Sequence, residues 1–221
     1  SCRGDQKELQ SAQSNMQTET KTSAFAMGIQ ANNLIRSRIG MQVGVIDFYY
    51  PRKGISPLLE SLTKLGYTYK VISGESLVLK QIQDSSIKKW IMSGAHRNAR
   101  TDEYQVPQQI SKLKDKEFLL ICYSMESYLH QMGYPIFCRK ENKKETILLK
   151  FQEELKVHRN HYCYIPTFKL DTRINLINSY RGETMTALYK NITMTQWHPE
   201  KSANGLQFLA SWLRSDLKNK P

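Results

Sequence analysis

Glu117-Phe118-Leu119-Leu120-Ile121-Cys122-Tyr123-Ser124-Met125-Glu126 is the stretch on which the reading of this chain turns. Its first five residues form a short apolar run of the kind that fills a buried strand. From Tyr123 to Met132 the pattern becomes helical, and Gly133 closes it as a C-cap. A thiol therefore stands where a buried strand meets a helix N-terminus. The helix dipole and the nearby backbone N–H groups favour thiolate there. The same strand–turn–helix geometry forms a nucleophile elbow, which closes tightly when the residues two before and two after the nucleophile are small. Here they are Leu120 and Ser124, and only the serine is small. On this stretch alone, Cys122 reads equally well as an inert buried cysteine and as a nucleophile.

Working outward, strands alternate with helices. Val43 to Phe48 is a β-branched apolar run, and Ile55, Leu58, Leu59, Leu62 and Leu65 recur at helical spacing up to Gly66. Tyr67 to Ile72 and Ile87 to Met92 are two further strands, and Ile110 to Leu113 belongs to another amphipathic stretch. This alternation predicts a doubly wound, mostly parallel α/β sheet. In the second half, Thr146–Leu149, Glu154–Val157, Tyr162–Pro166, Arg173–Ile177, Met185–Tyr189 and Ile192–Gln196 are strand candidates with few helical patterns between them. They predict an antiparallel meander beside or onto the sheet. Arg139 to Lys150, charged but of mixed sign, reads as a solvated loop. Leu206 to Leu217 is a final amphipathic helix. The expected organisation is a polar leader over 1–40, a domain over 41–217 and a tail over 218–221.

The 221 residues suffice for a core without disulfide or metal staples. No apolar window is long enough for a membrane helix, and no secretory signal is apparent. Lys+Arg 32 against Asp+Glu 20 gives a net charge of +12, which fits general basicity or an anionic partner. No nucleic-acid-binding signature accompanies it, so nucleic acid is not the expected partner. Cysteines at 2, 122, 138 and 163 show no paired framework, which predicts a reducing, cytoplasmic setting with Cys138 and Cys163 as packing residues. Arg3-Gly4-Asp5 is a chance match in a polar segment. His96, His130, His158 and His161 show no metal spacing, and His158 and His161 read as strand-edge residues. No metal or cofactor is expected.

Two further motifs bear on chemistry. Gln196-Trp197-His198-Pro199-Glu200 follows a strand, and Pro199 favours an extended backbone that lets His198 and Glu200 face one side. A thiol nucleophile needs a base, and the base needs an orienting acceptor. By itself this motif reads also as a surface turn. Ser93-Gly94-Ala95 ends a strand, and its glycine lets backbone N–H groups point at a developing oxyanion. Alone, it reads as a strand-to-loop turn.

Taken together, the elbow around Cys122, the late Gln-Trp-His-Pro-Glu and the early Ser-Gly-Ala loop resemble the class I glutamine amidotransferase family. Arg159-Asn160-His161-Tyr162 resembles that family's middle histidine-bearing strand. The resemblance implies a flavodoxin-like fold and a triad of Cys122, His198 and Glu200. It also implies an oxyanion site from the backbone N–H groups of Gly94, Ala95 and Tyr123. The implied activity is hydrolysis of the glutamine side-chain amide through a thioester, with ammonia passed to a separate synthase or synthetase. Leu120 and Ser124 depart from family glycines. Glu126 stands where the family often has a substrate-binding glutamine, and a carboxylate donates a hydrogen bond only when protonated. The alternatives are a catalytically impaired binding relative and a standalone γ-glutamyl hydrolase or peptidase.

Overall fold

The computed structural model describes residues 41–76 and 79–215. The leader with Cys2 and Arg3-Gly4-Asp5, and the tail, lie outside them. Seven strands form one sheet: β1 (Gln42–Asp47), β2 (Thr68–Ser73), β3 (Lys89–Met92), β4 (Glu117–Ile121), β7 (Asn175–Tyr180), β8 (Glu183–Tyr189) and β9 (Ile192–Thr195). Their spatial order is β2-β1-β3-β4-β9-β8-β7. The first five run parallel, and β8 and β7 continue antiparallel. The parallel part has the flavodoxin-like order, with its topological switch point between β1 and β3.

The sheet is covered on both faces, and β4 shows why its run is apolar throughout. Leu119 and Ile121 pack with α1 (Ser56–Lys64) and α4 (Ala203–Arg214) through Leu58, Leu62, Leu209 and Leu213. Phe118 and Leu120 face the other way, against Met125, Tyr128 and Leu129 of α3 (Tyr123–Gln131) and Ile82 of the short α2 (Leu79–Gln83). A strand buried on both faces loses the two-residue alternation. Each such side chain contributes about 1.5–3 kcal/mol by leaving water. Leu120 is thus accommodated as a core residue under α3.

The second half differs from the expected arrangement in one respect. The meander is real for β7, β8 and β9, but Arg139 to Lys150 is no solvated loop. It lies within β5 (Phe137–Lys150), which pairs antiparallel with β6 (Glu154–Tyr164) as a separate two-stranded hairpin. The inner end of the hairpin meets a core where Ile147, Leu149 and Val157 pack with Met185 and Trp197, and farther out Cys163 packs against the main core. The outer part of β5, from Arg139 to Glu145, is almost entirely charged, so its sequence hides the strand. Opposite-charge pairing across the hairpin supports it instead, with Glu145 in register with Arg159 and ion-paired to it.

Cys138 and Cys163 are not separate packing residues. They are directly opposed on β5 and β6 and joined as a disulfide. Their spacing of 25 residues along the chain gives no sign of this pairing, because it arises from hairpin register.

Candidate active site

Four segments converge at the C-terminal edge of the parallel sheet, beside its switch point, where open α/β sheets bind ligands. They leave β1 at Asp47, β3 at Ser93, β4 at Cys122 and β9 at Gln196. Asp47 is structural: its Oδ1 accepts from the N–H groups of Tyr49 (2.9 Å) and Tyr50 (3.2 Å), fixing the loop after β1.

Cys122 has φ 50° and ψ −104°, a left-handed conformation that costs a non-glycine residue of order 1–3 kcal/mol. The surroundings hold it there. Its N–H donates to Thr195 O (2.7 Å), and its carbonyl accepts from Glu126 N (3.1 Å). Ser124 Oγ donates to Ser93 O at 2.6 Å, locking the start of α3 onto the loop after β3. The small size of Ser124 is evident in the sequence, but this bond, which a glycine could not make, is not.

The thiol faces a buried polar cluster. Sγ lies 3.8 Å from Glu126 Oε2 and 3.9 Å from Asn160 O. The Gln196 amide donates both to Sγ (3.5 Å) and to Glu126 Oε2 (3.2 Å). Burial, followed by the Glu126 and Glu200 carboxylates, raises the thiol well above its ordinary pKa, against the Tyr123 N–H and the Gln196 amide. The thiolate expected from the helix N-terminus is therefore not the resting form, because desolvation outweighs the dipole. Burial also raises the Glu126 carboxyl to about 8, so it is largely protonated at neutral pH.

His198 and Glu200 meet as the sequence predicts. His198 Nδ1 stands 2.7 Å from Glu200 Oε1, and both side chains are buried. Burial pushes Glu200 upward, but the His198 charge and hydrogen bond bring it below its ordinary range. With Nδ1–H donating to a carboxylate, Nε2 presents a lone pair, and that atom has no partner among the described residues. Two anchors set this geometry. Trp197 Nε1 donates to Thr186 Oγ1 (2.9 Å), and its ring meets Phe208 edge-on at 4.9 Å. The His198 N–H donates to His158 O on β6 (2.8 Å).

The hairpin supplies a wall that the sequence only hints at. His161 is buried rather than at an exposed strand edge. It bonds Cys163 O through Nδ1 at 2.7 Å, leaving Nε2 unpartnered among the described residues. Burial depresses its pKa to about 4, so it is neutral at pH 7. Cys122, Glu126, His161, His198 and the loop residue Ala95 line one cavity of about 680 Å³. Gly94 adjoins it: a Cβ there would stand 2.6 Å from Tyr49 Oη and 3.0 Å from His198 Cε1. The N–H groups of Gly94 and Ala95 have no protein acceptor among the described residues.

No group of metal-ligating side chains occurs among the described residues, and no described helix is long and apolar enough to cross a membrane.

The family model described as glutamine amidotransferase class-I matches residues 45–211. No curated protein matches significantly. Among solved structures, PurLQS from Thermotoga maritima aligns at 14% identity with TM-score 0.60, over 78% of this chain and 99% of that one. A Thermoplasma acidophilum protein assigned to GMP synthase as one of its subunits aligns at 17% identity with TM-score 0.59, over 78% and 96%. A glutamine amidotransferase from Thermotoga maritima aligns at 14% identity with TM-score 0.55, over 80% and 87%.

Proposed function

The chain belongs to the class I glutamine amidotransferase family, and from that premise we propose that it hydrolyses a γ-glutamyl amide through Cys122. Glutamine is the substrate this reading names first. The observation that carries it is the buried His198–Glu200 pair, whose Nε2 has no partner among the described residues and whose histidine lines the same cavity as Cys122. Sγ turns from Glu126 toward His198 and gives its proton to Nε2. Sγ then bonds to the γ-carbonyl carbon. The N–H groups of Tyr123, Gly94 and Ala95 receive the oxyanion. The C–N bond breaks, and ammonia leaves with the proton from His198. Water, deprotonated by the same imidazole, hydrolyses the thioester to glutamate. Neutral Glu126 donates to bound substrate where an amide would otherwise serve.

A separate synthase or synthetase takes the ammonia, a reading supported by fold likeness to the Thermoplasma acidophilum protein assigned to GMP synthase. The catalytic unit is residues 41–217, between a leader and a short tail. We place the protein in the cytoplasm.

The contact of the thiol with Glu126 favours a second reading, a relative of impaired activity. Treatment with a glutamine-like alkylating electrophile separates the two. Adduct at Cys122, lost in Cys122→Ala, together with ammonia release from glutamine, supports the enzyme. A folded protein with neither property excludes it.

A further inference from the structure

Cys138 and Cys163, the two halves of the disulfide, line the same cavity as Cys122. Cys138 is exposed, whereas Cys122 is buried. The cavity therefore runs from a buried thiol to a solvent-facing rim, and the disulfide stands at that rim. Exposed disulfides are the labile ones, and reducing compartments hold few structural ones. In the cytoplasmic setting proposed above, this bond is open to exchange with dissolved thiols.

The disulfide fastens an interruption in the hairpin. Cys138 faces Cys163 in register, but the ladder resumes at Lys143 opposite His161. Arg139, Lys140, Glu141 and Asn142 on β5 thus face the single residue Tyr162 on β6 and bulge from the ladder. Arg139 and Asn142 line the cavity. On the inner side of the bulge, the ladder from Lys143 to Lys150 holds β5 to β6. Asn142 Nδ2 adds a bond to Asn160 Oδ1 (2.6 Å). On the outer side stand the pairs Phe137–Tyr164 and Cys138–Cys163, with Arg139 ion-paired to Glu183. The facing part of β6 touches the site: Asn160 O lies 3.9 Å from Cys122 Sγ, and Cys163 O bonds His161 Nδ1 at 2.7 Å.

From this arrangement we propose that the Cys138–Cys163 pair is a redox modification site that gates entry to Cys122. The disulfide holds the Arg139–Asn142 bulge against the cavity, and the dithiol form lets it swing out about Lys143. A cross-link removes the conformations in which two strands part at that point. A strand end beyond a bulge, tied by a short ladder, opens locally at low cost.

A low-molecular-weight dithiol supplies the electrons. Its thiolate attacks Cys138 Sγ, the S–S bond breaks, and Cys163 leaves as a thiolate that takes up a proton. The second thiol of the reductant then displaces Cys138 from the mixed disulfide. The protein gains two electrons and two protons, and the reductant departs as its own disulfide. A low-molecular-weight disulfide reverses the exchange. This inference is a regulation of the Cys122 site and rests on that reading for its effect on turnover, but the gate itself is measured without substrate.

The test labels the full chain after treatment with glutathione disulfide or with dithiothreitol, the reagent being removed first. Cys122 is labelled with iodoacetamide and, separately, with bulky fluorescein maleimide, and mass spectrometry of peptides locates each adduct and the cross-link. Reduction should speed maleimide labelling of Cys122 about tenfold and iodoacetamide labelling by less, because an entry gate selects by size whereas altered thiol ionisation speeds both alike. The Cys138→Ser, Cys163→Ser double variant should label at the reduced rate after either treatment. Equal maleimide rates in the two states, equal acceleration of both reagents, or no cross-link after glutathione disulfide overturns the proposal. So does loss of near-ultraviolet circular dichroism on reduction, since the bond would then support the whole fold. Ammonia release from limiting glutamine should rise with the maleimide rate. A redox-dependent maleimide rate with no ammonia in either state leaves the gate standing and removes the glutaminase reading.

Discussion

The Cys122 thiol lies 3.8 Å from Glu126 Oε2, and the Gln196 amide donates to both groups. An acid and a nucleophile thus share one donor inside the protein. Ionising Glu126 places a negative charge against the group that must itself become negative, so the two ionisations oppose each other.

Replacing Glu126 by Gln removes that opposition. The thiol should then ionise at lower pH, and iodoacetamide should modify Cys122 about tenfold faster above the Glu126 pKa, since one pKa unit is a factor of ten. Rate against pH for the two proteins checks this. Coincident profiles would show that the carboxyl does not control the thiol.

The same carboxyl sets a pH dependence of stability. Its native pKa is raised from 4.5 to about 8, so the folded state keeps a proton that the unfolded chain has lost within that window. Stability should therefore fall as pH climbs from 4.5 toward 8. Denaturant midpoints across the window should fall less steeply for Glu126→Gln.

His198→Ala should reduce turnover by roughly 10³-fold or more, and Glu200→Gln by less, because the imidazole stays while losing its orienting charge. Single-turnover kinetics on folded variants measure both losses. Retained glutamate release in His198→Ala would remove the role assigned to that base.

A Cβ on Gly94 would press on Tyr49 Oη and the His198 ring. Gly94→Ala should lower turnover about tenfold or more by displacing the base and the oxyanion donors. Tyr49→Phe in the same chain removes the nearer atom and should restore part of the loss. Additive losses in the double variant would argue against this contact as the cause.

The Cys138–Cys163 disulfide closes a loop of 25 residues, which restricts the unfolded chain by about 3–4 kcal/mol in the chain-entropy account. Reductant, or Cys138→Ser, should lower the unfolding midpoint of the oxidised protein. The variant itself should not respond to reductant.

The order of β1, α1, β2, β3, β4, α3 and α4 was legible in the sequence, because strand and helix periodicities are local. So were Cys122, His198 and Glu200, since strand ends placed beside a helix start or a proline put these residues in fixed local geometries. The hairpin was half legible: Ile147, Leu149 and Val157 reveal its inner end, while the charged outer end resembles a loop until Glu145 meets Arg159. Tertiary structure alone decided the pairing of Cys138 with Cys163, the burial of His161 and the turn of the thiol toward Glu126. It also decided that this disulfide and Cys122 line the same cavity. Each depends on which groups meet across the fold and how far water is excluded from them. Desolvation and Coulomb terms follow those distances in space, and the spacing of residues along the chain does not contain them.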